Sequence, residues 1–154
     1  MTLYDTDFYA WTQEQAALLR EGAVAELDLV NLAEEIESLG QRDRRTLGSH
    51  LRTLMLHLLK WQYQPSGRLT GHAWRSSIRT ARIEITVLLE DSPSLGGAVP
   101  GLIARWYPNA RLDAADETGL PLTTFPEACP WSVAQVLDDD FYPGEVDHGP
   151  QRLR

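Results

Sequence analysis

The sequence predicts an all-α fold: a compact bundle of five to seven helices around one central helix, closed by a proline-rich C-terminal wrap. Three observations carry that prediction. Apolar residues recur at spacings of three and four in segment after segment, glycine and proline fall between those segments, and no stretch keeps the strict alternation of a strand. A chain of 154 residues is long enough to enclose one core without a disulfide or metal staple. Residues 1–142 are therefore expected to form a single helical domain, with the polar residues 143–154 as a flexible tail.

The first helix is expected over 7–21, capped by Asp5, Thr6 or Asp7, with Phe8, Trp11, Gln15, Leu18 and Leu19 on one side and Gly22 as its stop. A second starts near Asp28, a suitable cap, and places Leu29, Leu32, Ile36 and Leu39 in one stripe before Gly40. Asn31, Glu34, Glu35, Glu37 and Ser38 occupy its other faces, as in an amphipathic surface helix. The third, over 41–63, sets Leu47, Leu51, Leu54, Leu58 and Trp61 in register and becomes apolar nearly all round at Met55, Leu56 and Leu59. An enclosed helix reads this way, and it is taken as the core of the bundle.

A loop follows at Pro65, Gly67 and Gly71, then a fourth helix over 72–90 carrying Trp74, Ile78, Ala81, Ile85 and Leu88. Helical spacing returns over 94–107, with Gly96, Gly97, Pro100 and Gly101 loosening its start. Pro108 is expected to kink or restart the chain, because proline lacks an N–H and crowds the preceding turn. A further segment runs from 108 to 118 and stops at Gly119. Residues 120–130 contain Pro121, Pro126 and Pro130 and are expected to wrap the bundle through Leu120, Leu122 and Phe125. Ser132 and Gln135 have capping-box spacing and open a short last helix.

The net charge is −8, which opposes broad nucleic-acid binding. Its distribution is more informative. Residues 1–40 carry −8, residues 41–82 carry +8, and residues 83–154 carry −8 again. The single Cys129 cannot form an internal bridge, no Cys/His set has zinc spacing, and the N-terminal residues lack a basic, apolar leader pattern. With no apolar run of membrane-spanning length, the expected setting is cytoplasmic, without membrane, metal or cofactor.

Several segments carry a family resemblance: Asp7-Phe-Tyr-Ala-Trp-Thr, Asn31-Leu-Ala-Glu-Glu-Ile-Glu-Ser-Leu-Gly40, His57-Leu-Leu-Lys-Trp-Gln-Tyr-Gln-Pro65 and Leu89-Glu-Asp-Ser-Pro-Ser-Leu95. Together with Glu117-Thr-Gly-Leu-Pro, Phe125-Pro and Cys129-Pro, they resemble the bacterial domain-of-unknown-function family 29 over roughly residues 4–143. That resemblance implies a compact all-helical bacterial protein. It brings no reaction, ligand or catalytic residue with it.

Some polar positions could carry chemistry. Glu34, Glu35 and Glu37 lack the inward Glu-x-x-His pairs of a bundle di-metal site. Glu35 lies about 60° off the Leu32/Ile36 stripe and is expected to be half-buried with a partner. A hairpin turning at Gly40 would bring it level with Arg44 or Arg45, and would let His50 or Arg52 answer Asp28. Asp28, Glu35, Arg44 and Arg45 are thus expected to be structural polar groups.

His57 is the candidate proton-transfer group, because imidazole titrates near neutrality. A histidine at the edge of a core is more often simply hydrogen-bonded there. Arg75, Arg79 and Arg82 share one face of the fourth helix beside Trp74, and with Lys60 and Trp61 could form a platform for a phosphate or carboxylate. The competing expectation is that the acidic blocks neutralise these arginines inside the fold, with Asp138, Asp139 and Asp140 as one counter-patch.

No nucleophile motif or phosphate loop occurs. The leading expectation is therefore a non-catalytic helical module that binds another protein, through the acidic face of the second helix or the arginine face of the fourth. The alternative is an enzyme or small-ligand protein using the Lys60, Trp61, Trp74, Arg75, Arg79 and Arg82 set with His57.

Overall fold

Helix-forming periodicity and the capping signals together set most of the element boundaries in the computed structural model, which describes residues 1–69 and 72–144. Six α-helices and no strand occur among the described residues: α1 (Leu3–Thr6), α2 (Phe8–Glu21), α3 (Leu29–Tyr63), α4 (His72–Asp91), α5 (Val99–Thr118) and α6 (Val133–Leu137). Short 3-10 turns cover Val24–Glu26, Pro65–Leu69, Pro93–Ala98 and Leu122–Thr124. The loop glycine Gly71 and residues 145–154 of the expected tail lie outside the described residues. The chain groups into two units, Met1–Arg42 and Asp43–Arg154.

In the first unit Asp7 caps α2 by accepting a hydrogen bond from the Ala10 N–H at 3.0 Å. Gly22 ends that helix in the left-handed region at φ 70°, where a side chain would be strained. Asp28 then opens α3. Its carboxylate accepts from the Asn31 side chain at 2.8 Å and from the Trp11 indole N–H at 3.1 Å, while its own N–H donates to Gln15 at 2.8 Å. One carboxylate thus caps a helix and fixes the buried face of its neighbour. Tyr4, Phe8 and Trp11 form an aromatic trio with centroids 4.8–5.9 Å apart.

The expected hairpin at Gly40 does not form. Residues 29–63 are one continuous helix of 35 residues, and Gly40 keeps a negative φ within it. A helical glycine costs only about 1 kcal/mol, and the flanking Leu39, Gln41 and Arg42 all favour helix. The ion pairs premised on that hairpin therefore fall, since positions nine and ten apart on one helix do not face each other. Glu35 instead accepts from the Tyr4 hydroxyl at 2.6 Å, leaving Arg44 and Arg45 as exposed positions. Arg52 pairs in bidentate fashion with Asp113, at 2.7 and 2.9 Å, rather than with Asp28.

The second unit holds the core. Leu47, Leu51, Leu54, Met55, Leu58, Leu59 and Trp61 of α3 pack with Ile78, Ala81 and Ile85 of α4 and with Val99, Leu102, Ile103, Tyr107, Ala110 and Ala114 of α5. Pro108 neither stops nor restarts α5, which runs to Thr118. Buried side chains on both sides of the proline, Ile103 and Tyr107 before it and Ala110 and Ala114 after it, belong to the same core. Their burial outweighs the one helical hydrogen bond that proline removes. Gly48 faces the Trp106 indole, and a Cβ there would sit 2.5 Å from its Nε1, so the glycine permits that ring's approach. The wrap docks through buried Phe125, Trp131 and Val136 and half-buried Leu120, whereas Leu122 is exposed, contrary to its expected place in the wrap. No helix among the described residues is long and apolar enough to cross a membrane.

Candidate functional site

Two clusters concentrate unsatisfied or chemically distinctive surface, one in each unit. The first is a groove within residues 1–42. Its volume is about 440 Å³, and it runs between α2 and the first turns of α3. Phe8, Trp11, Ala16 and Leu19 form one wall; Leu32, Ile36 and Leu39 form the other. The stripe that the sequence predicts for the second helix is present, but it is not covered. Ile36 is 66% exposed, Leu39 57%, Leu19 55% and Phe8 49%. Two helices of a 42-residue unit cannot hide two apolar stripes, because too little chain is available to cover them.

Polar groups in the groove are already engaged. Gln15 holds the Asp28 N–H, and Glu35, half-buried as expected, holds Tyr4. Hydrogen bonding to Glu35 is the main reason that the Tyr4 phenol is pushed up to about 12, with desolvation and the Glu35 charge adding to it. A raised pKa means that folding favours the protonated phenol. The contact therefore stabilises fully below pH 10 and is lost as the pH rises through about 12. Glu35→Gln is expected to return one tyrosine to the ordinary range in a phenolate absorbance titration; an unchanged titration would contradict the Tyr4–Glu35 assignment.

The second cluster lies in the other unit and contains the residues that the sequence singles out. Arg75 is exposed, with its guanidinium carbon 5.4 Å from the Trp61 ring and 4.6 Å from the Tyr142 ring. Trp61 and Tyr142 pack against each other at 5.0 Å. Lys60 is buried, 5.1 Å from the Trp74 ring and 3.8 Å from Glu117. Arg79 is exposed, while Arg82, on the same helical face, is 2% exposed.

Among the described residues no carboxylate forms an ion pair with Arg82. Its Nε donates to the Val136 carbonyl at 3.0 Å and Nη2 to the Gln135 carbonyl at 3.4 Å, which closes the C-terminal end of α6. Burial lowers its pKa, and Tyr142, Asp139, Asp138 and Asp140 act in the opposite direction. The three aspartates thus contribute at a distance rather than as an ion pair. Nη1 of Arg82 is buried with no hydrogen-bond partner among the described residues.

His57 lies on α3 three residues before Lys60, within reach of the Lys60 and Glu117 charges. Its Nδ1 lies 2.8 Å from the Thr53 carbonyl one turn back, so Nδ1 carries the proton and Nε2 the lone pair of the neutral ring. Burial is the leading cause that lowers its pKa from 6.5; Lys60 adds to the fall, while the Thr53 bond and Glu117 oppose it. The unfolded chain then binds more protons just below pH 6.5, so stability rises with pH across that window and falls in acid. A melting-temperature series between pH 5 and 7 should show a smaller acid loss for His57→Gln than for the parent chain. Equal slopes would mean that His57 does not titrate with folding.

No group of three or more His, Cys, Asp or Glu side chains is arranged to hold a metal among the described residues. Burial raises the Cys129 thiol, which makes it a poor nucleophile. Sequence reasoning missed Tyr142, which joins Trp61, Arg75 and Arg82, because it lies outside any periodic segment. It also missed the openness of Phe8 and Leu19, since a helical stripe carries no mark of what covers it.

The family model described as "Domain of unknown function DUF29" matches residues 3–142. No curated protein and no solved structure matches the chain.

Proposed function

The chain belongs to the DUF29 family of domains of unknown function, a membership that brings no activity with it, and we propose from its geometry that it is a non-catalytic protein-interaction module. Its contact surface is the groove between α2 and the start of α3. One observation carries this reading: the exposed Phe8, Leu19, Ile36 and Leu39 gather around a single concavity instead of scattering over the surface. Of the acidic residues on this helix, Glu35 lines the groove. A single thiol and the absence of a spanning helix among the described residues support a cytoplasmic setting.

The test is capture of a partner by the tagged chain and by its Ile36→Asp and Leu39→Asp variants, with the exposed Val87→Asp as a control in the other unit. A partner held by the parent and by the control, and lost from both groove variants, is the expected result. A partner retained by the groove variants sinks the reading, as does the absence of any specific partner.

A second reading, binding of a small anion, is favoured by one feature. The exposed Arg75 is held against Trp61 and Tyr142, with exposed Arg79 on the same helix face. Stabilisation by inorganic phosphate that disappears in Arg75→Ala would support it.

A further inference from the structure

We infer that the groove of residues 1–42 receives a single amphipathic α-helix with a basic outer face, supplied by another protein. This rests on the interaction reading above and specifies the chemistry of the partner.

Shape is the first argument. The groove extends along α2 from Phe8 to Leu19 and along α3 from Leu32 to Arg42. Twelve and eleven residues of helix, spanning eleven and ten rises of about 1.5 Å, correspond to about 15–17 Å on each wall. A third helix of about three turns matches that length and would cover both stripes at once. Apolar side chains at i, i+3 or i+4, and i+7 of the incoming helix would then sit between the walls.

The lining decides against a small polar ligand. Gln15 and Glu35 spend their side chains on Asp28 and Tyr4. What remains open is mostly carbon, namely Phe8, Ala16, Leu19, Leu32, Ile36 and Leu39. Such a surface gains from covering a broad apolar face and offers few directed hydrogen bonds to a metabolite.

Charge selects among helices. Residues 1–42 carry nine carboxylates against Arg20 and Arg42, a net charge of −7. Two copies of this unit placed groove to groove would bring those charges together, and like-charge juxtaposition disfavours that pairing. A helix with lysine or arginine on its outer face is attracted instead, with association weakened by salt.

The experiment is calorimetric titration of the full chain with three synthetic peptides of equal length. One is an amphipathic leucine/lysine helix, the second a scramble of the same composition, and the third an amphipathic leucine/glutamate helix. The Ile36→Asn/Leu39→Asn double variant provides the groove control, with its fold checked by circular dichroism. Both positions are exposed, so the substitution removes apolar contact without opening a core.

Saturable one-to-one binding of the leucine/lysine peptide is expected, at least about tenfold weaker in the double variant and at high salt. The scramble and the leucine/glutamate peptide should bind at least about tenfold more weakly than the first peptide. Equal binding of the scramble or the acidic helix overturns the inference, as does binding of no peptide. Self-association of the chain that the double variant abolishes also overturns it, by identifying the occupant as a second copy. Partner capture that depends on the groove, combined with failure of the basic peptide, would reject this partner chemistry and leave the interaction reading standing. Capture unaffected by groove substitutions would reject that reading itself.

Discussion

Replacing Arg82 with alanine is expected to destabilise the chain by about 2–4 kcal/mol in a chemical denaturation series. The guanidinium is 2% exposed, and two of its nitrogens satisfy the Val136 and Gln135 carbonyls at the end of α6. Alanine leaves those buried acceptors without their donor and opens a void beneath Tyr142, whose ring lies 5.6 Å from the Arg82 guanidinium carbon. Arg82→Met, which keeps most of the volume but no donor, should fall between alanine and the parent. The gain from Arg82 is already net of burying a charge, a cost visible in its lowered pKa. A loss below about 0.5 kcal/mol for Arg82→Ala would mean that the carbonyls find other partners.

A comparable loss, about 3–5 kcal/mol, is expected for Phe125→Ala. The ring is 1% exposed and meets Tyr63 edge-on at 5.6 Å. Around it the wrap is tied down by its carbonyls: Tyr107 donates to Pro126 at 2.5 Å and Arg111 to Phe125 at 3.0 Å. Removing the ring deprives those bonds of the apolar anchor that orders the segment. Leu122→Ala, three residues earlier and exposed, should change stability by no more than about 0.5 kcal/mol. A similar loss for both would show that the wrap docks differently.

The contrast between Phe125 and Leu122 shows the limit of sequence reading within one short segment. Both are large and apolar, and the proline-rich spacing around them has no period to say which faces inward. Similar reasoning applies to Pro108. Its local chemistry argues for a break, yet α5 continues because both flanks bury side chains in a common core. At Gly40 the expected turn fails because a glycine permits a turn without compelling one, and the flanking residues favour helix.

Among the site candidates, Arg75 and Trp61 do come together, and Lys60 does lie beside Trp74. The link through Tyr142 was invisible, because it joins positions more than 60 residues apart in a segment without regular structure. Arg75, Arg79 and Arg82 share a face by helical geometry alone. Their fates differ because α6 covers only the last of them.

By itself the sequence determined the all-helical class, the helix that supplies the largest share of the core, a cap for α2 among Asp5, Thr6 and Asp7, the cap at Ser132, and the stop signals at Gly22 and Gly119. These depend on residues within a few positions of one another, where periodicity and capping act directly. Tertiary structure alone decided that Glu35 answers Tyr4, that Arg82 closes α6, and that the Leu32/Ile36/Leu39 stripe stays open. The reason is common to all three: a local pattern says which face is apolar or charged, but only the three-dimensional neighbours say whether anything covers it.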